Sequence, residues 1–123
     1  MKDILSLGFQ FDRELMTTLR LTTGGICSFV GLDMEDTEDC KVCVTESLLL
    51  LMHSGYPAAR VSFSEDEGVY VRIEAEGGST EKQISPDDGI SSALLGALAR
   101  DVNMEKEDDC LKAIEFRFVR HGR

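Results

Sequence analysis

Glu46 is the residue whose chemistry asks for an explanation. It stands inside a helical, otherwise apolar stretch, one turn after Val42 and one turn before Leu50. A carboxylate aimed at a core must be paired, hydrogen-bonded or neutralised. Two readings stay open: an acid held for function, or a rim carboxylate reaching solvent beside Lys41 or Arg60. The cysteines are the second candidate. Cys40-x-x-Cys43 has zinc-ligand spacing. Both, however, lie within a helical pattern flanked by Val42 and Val44, whereas a structural zinc pair usually sits on a turn. Cys27 and Cys110 stand alone, so packing of small apolar thiols in a reducing compartment is the favoured reading. Acids cluster at 35–39, 65–67 and 105–109 within a net charge of −10. Thirteen scattered basic residues against twenty-three acids exclude the clustered cations that a nucleic-acid surface requires. The acids read as a solvated exterior, with a docking surface for a basic partner as the alternative.

The elements that must position these residues follow from periodicity. At 123 residues and 42% hydrophobic content, the chain suits one domain with one core. Residues 4–11 alternate as a strand, with Leu5, Leu7, Phe9 and Phe11 on one face. Asp12 caps a helix in which Leu15, Leu19, Thr22, Ile26 and Val30 share a face, and Gly31 closes it. The Gly24-Gly25 pair inside that helix predicts the close approach of another backbone. Asp33 caps a second helix running to Ser54, with acids in its first turns where the dipole favours them. Its half from Leu48 to Met52 is apolar all round, which predicts a central position. Strands follow at 59–64 and 69–76, joined by the Asp66-Glu67-Gly68 hairpin signal. A polar loop at 77–86 leads to a third helix opened by Asp87 or Asp88, and a last hairpin pairs 102–107 with 113–119. The order β-α-α-β-β-α-β-β predicts an α/β chain arranged as an α+β two-layer sandwich. Its sheet is expected to be mixed or mostly antiparallel, with helices on one face. No apolar run reaches the roughly 20 residues of a membrane span. The start of the sequence lacks a secretory pattern, so a cytoplasmic location is expected.

Residues 19–47, from Leu19-Arg20-Leu21-Thr22-Thr23-Gly24-Gly25 through Gly31-Leu32-Asp33 to Lys41-Val42-Cys43-Val44-Thr45-Glu46-Ser47, resemble the bacterial anti-sigma factor serine kinases. These are small ATP-binding proteins of the GHKL (HATPase) class. Gly89-Ile90-Ser91-Ser92-Ala93-Leu94-Leu95 to Asp101-Val102 is similar to the family's Gly-Leu-Gly-Leu helix. The resemblance spans about residues 9–120 and implies a Bergerat-type sandwich. It also implies a sigma factor or an anti-anti-sigma-like antagonist as partner, usually gripped by a dimer through the first helix. Arg20 matches a family position there and is the candidate partner contact; a plain surface charge is the alternative.

The resemblance also implies what is missing. The family helix carries Glu and, four residues on, an Asn whose oxygen holds Mg²⁺ against the nucleotide. Here Glu46 remains as a remnant general base, and position 50 is Leu. The family's His falls at Ser54, with Tyr56 retained and His53 one position off. The adenine-reading Asp-x-Gly-x-Gly falls at Glu76-Gly77-Gly78-Ser79-Thr80, with Glu for Asp and Thr80 for the last Gly. Asp87-Asp88-Gly89-Ile90-Ser91 imitates that motif but opens a helix. Ser91 replaces a glycine that would let backbone amides approach phosphate. Glu76, Gly78, Gly89 and Ser91 are therefore degenerate nucleotide-motif residues. The expected function is a pseudokinase acting by protein binding, with no cofactor or metal. The alternative is an ATP- and Mg-dependent serine kinase or ATPase using Glu46.

Overall fold

The computed structural model describes residues 1–78 and 88–121. Ser79, Thr80, Asp87 and most of the loop expected at 77–86 lie outside the described residues. The elements run β1 (Lys2–Gln10), α1 (Arg13–Phe29), α2 (Met34–His53), β2 (Ala58–Glu65), β3 (Gly68–Glu76), α3 (Asp88–Leu98), β4 (Arg100–Glu107) and β5 (Cys110–Val119). The strands form a five-stranded sheet in the order β1-β2-β3-β5-β4. Every described pairing is antiparallel, so the sheet is not mixed.

Alternation along the central strands separates the two faces. On β3, Val69, Val71, Ile73 and Ala75 are buried, while Tyr70, Arg72, Glu74 and Glu76 point the other way and meet water. Ile114, Phe116 and Phe118 of β5 and Val61 and Phe63 of β2 join the same apolar face. The α2 helix lies against β2, β3 and β5, with α1 and α3 packed beside it. Its central position matches its composition: Cys40, Cys43, Val44, Ser47, Leu48, Leu50 and Leu51 are all buried.

Local chemistry sets the helix ends. The Asp12 carboxylate accepts from the Glu14 N–H at 2.9 Å, and that of Asp33 accepts from the Asp36 N–H at 2.8 Å. Phe11 and Met16 occupy the flanking positions of a hydrophobic staple at the start of α1. After α1, Gly31 adopts φ +81°, the left-handed turn that glycine accepts without strain.

Three expectations are corrected. The buried threonine of α1 is Thr23 rather than Thr22; its hydroxyl donates to the Leu19 carbonyl at 2.7 Å, which lets it sit in the core. Among the described residues, no backbone of another element approaches the side-chain positions of Gly24 and Gly25. A Cβ on Gly24 would lie 2.9 Å from Cε of Lys41, so that glycine admits a lysine stem, and a Cβ on Gly25 would meet nothing within 4 Å. The alternation of β1 breaks between Asp3 and Leu5, where the register shifts. The extra residue, Ile4, packs against the core while Leu5 is left 39% exposed.

Candidate functional site

Glu46 projects from the middle of α2 toward the first turn of α3. There the Ser91 hydroxyl donates to its Oε2 at 2.6 Å. Ser91 is only 3% exposed, held in place because Leu95, one turn on, is fully buried and fixes α3 against the core. Leu50, one turn beyond Glu46, is itself buried in the core. That point on α2 therefore presents hydrocarbon in a packed environment.

On its other side, Glu46 borders a polar groove of about 300 Å³ along the α1–α2 seam, lined also by Arg20, Glu38, Lys41, Val42 and Thr45. Arg20 Nε reaches Thr45 Oγ1 at 3.5 Å, and Lys41 Nζ pairs with Glu38 at 3.3 Å. Arg20 and Glu46 thus share one groove, and Glu46 bridges from it to Ser91. Neither rim expectation for Glu46 fully holds. Lys41 does line the same groove, but Arg60 belongs to the outer face of the sheet, where it lies 3.6 Å from Glu76.

That ion pair fixes the position of Glu76. It lies on the face of the sheet away from α2, and Ala75 is the residue at that end of β3 facing the helices. The structure does not bring Glu76 to Glu46. Gly78 and Gly89 are exposed, and a Cβ on either would meet nothing within 4 Å, so no close approach in the described residues calls for glycine there. Ser54 donates to the Leu50 carbonyl at 2.9 Å as the helix ends. Tyr56 is buried, with Lys112 Nζ 5.4 Å from its ring centre.

The cysteines behave as core residues. Cys27, Cys40 and Cys43 are fully buried, and Cys110 is partly so. The Cys40 thiol is pushed well up by its hydrogen bond to Cys27 and by burial. Burial first, then the charges of Asp39 and Glu46, raise Cys43 to about 12. Among the described residues the cysteines form no metal-ligating group. The donor atoms that do gather, within 4.8 Å of one another, belong to Asp33, Asp36 and His121. His121 Nε2 lies 2.8 Å from Asp36 Oδ2, and Asp33 is already engaged as a helix cap. Sequence reasoning missed this group because His121 comes from beyond β5, far along the chain.

It also missed a polar network on the outer face. Tyr70 donates to Glu115, and Arg72 holds Glu115 at 3.0 Å and Glu105 at 2.9 Å. The Glu115 carboxyl is held below the usual range, chiefly by the Tyr70 hydroxyl, with Asn103 and Arg72 adding to it. Burial, then Glu115, raises Tyr70 to about 12. The signal was present as polar residues alternating with apolar ones on β3 and β5, but pairing across strands requires the register.

No protein-family model matches the chain, and no curated protein sequence matches it.

Proposed function

We propose that this chain is a regulatory protein that acts by binding another protein. On this reading it is a pseudokinase related to the anti-sigma factor serine kinases, with a Bergerat-type sandwich whose ATP site has degraded. The observation that carries the reading is Leu50. At the position where the resemblance implies a magnesium-holding Asn, the side chain is buried hydrocarbon, 5% exposed. A hard cation needs oxygen ligands, and Leu has none. The residues beside it fit Mg-ATP no better. The Ser91 hydroxyl is engaged with Glu46, and Glu76 is paired with Arg60 on the opposite face.

What remains suits contact with a protein. Arg20 borders the open α1–α2 groove, and its hydrogen bond to Thr45 is long at 3.5 Å. A sigma factor or an anti-anti-sigma-like antagonist is the partner this reading names. Calorimetry with Mg-ATP on the unmodified chain and on Leu50→Asn tests it. The expected result is no nucleotide heat from the unmodified protein, while Glu46→Gln retains partner capture from a host lysate. Stoichiometric Mg-ATP binding by the unmodified chain would instead favour the serine kinase reading, with Glu46 as the base.

A further inference from the structure

We propose that a separate apolar pocket, at the junction of β1, α1 and α2, binds a small amphipathic carboxylate of the aryl or short-alkyl class. The pocket holds about 230 Å³, room for roughly a dozen non-hydrogen atoms at protein-like density. Its walls are Phe9, Phe11, Met16, Leu49 and Met52. The two phenyl rings meet edge to face with centres 6.1 Å apart, leaving a rigid aromatic wall. Two methionines, Met16 and Met52, also line the pocket, and their unbranched side chains adapt to the shape of a guest. None of these five residues lines the Glu46 groove, and the inference does not depend on the regulatory reading above.

The polar groups at the pocket set the sign of the ligand. Arg13 is the first residue of α1, exposed, and is among the lining residues. The positive end of the α1 dipole lies at the same point and also favours an anion. Asp12 and His53 are the other polar residues of the lining. The Asp12 carboxylate accepts the Glu14 N–H at 2.9 Å as the helix cap, which holds it to the helix end. In a chain of net charge −10, an arginine among the lining of an apolar cavity matches a ligand with an apolar body and a carboxylate head. A concave, mostly apolar site with few convergent polar groups is the usual form of a small-molecule pocket.

The test uses 3-phenylpropionate and its neutral amide as probes, followed through the methionine methyl signals of the full chain and by calorimetry. The acid is expected to shift Met16 and Met52 and to bind about tenfold more tightly than the amide. Arg13→Gln, a surface change that leaves the core untouched, should erase that difference. Met16→Trp, which fills the cavity, should abolish binding of both. Equal binding of acid and amide by the unmodified protein would overturn the proposal. So would an absence of methyl shifts at millimolar ligand, or unchanged binding by a folded Met16→Trp protein. A concentration-dependent dimer that broadens the Met52 signal would also overturn it, since the occupant would then be a second copy.

Discussion

The Ser91 hydroxyl converts Glu46 from a spare acid into a tether between α2 and α3. A hydrogen bond from a buried hydroxyl to a carboxylate contributes about 1.5–3 kcal/mol. Ser91→Ala is therefore expected to lower stability by about that amount in urea titration, and an unchanged midpoint would mean that the bond contributes nothing. The thiols give a second test at this scale. Alkylation at neutral pH should modify Cys110 first, because it is partly exposed, and leave Cys27, Cys40 and Cys43 unreacted until urea is added. Rapid labelling of Cys43 in the native protein would contradict its burial. Sequence singled out Glu46 correctly as an acid needing a partner. It could not name the partner, because Ser91 lies 45 positions away on another helix and was read only for the glycine it replaces.

At the level of elements, the β4–β5 hairpin carries a local conflict. Its two turn residues, Asp108 and Asp109, both have positive φ, 53° and 62°. Such a turn favours Asn-Gly, and a left-handed Asp is tolerated with strain while placing two like charges side by side. Asp109→Gly is expected to raise stability by about 1 kcal/mol, read as a higher melting temperature; a lower one would show that the carboxylate has a stabilising role. The β2–β3 turn is the reverse case. A Cβ on Gly68 would overlap the Phe118 carbonyl, so Gly68 cannot be exchanged at low cost. Element order and type were legible because the helical and alternating periods are strong and the caps at Asp12 and Asp33 obey local chemistry. The errors fell where a facing partner decides: Thr23 rather than Thr22 turns inward, and the Gly24 notch receives Lys41 rather than a backbone. Neither is encoded within α1 alone.

For the whole molecule, the outer face of the sheet governs the response to pH. The Glu115 carboxyl is depressed in the folded state. Its contribution to stability is complete above the ordinary carboxylate range and is lost as pH falls through the folded value. Tyr70 is raised to about 12. Its contribution is complete below the ordinary tyrosine value near 10 and is lost as pH climbs from there toward the folded value. Stability measured against pH should therefore sag at both ends. Glu115→Gln should flatten the acid limb, and Tyr70→Phe should flatten the alkaline one; identical profiles for the variants and the parent would show that the network is energetically silent. The two-layer plan was readable from element order. So was the face on which Glu76 lies, since the alternation of Val69, Val71, Ile73 and Ala75 leaves it on the other side.

The strand that covers the free edge of β3 is β5, and α3 and β4 are made between them. While the nascent chain emerges from the ribosome, the amides and carbonyls along one side of Val69, Val71 and Ile73 wait for a mate not yet synthesised. Premature termination before Cys110 would leave that sticky margin permanently bare, so such fragments should be chaperone clients and poor survivors in a cell.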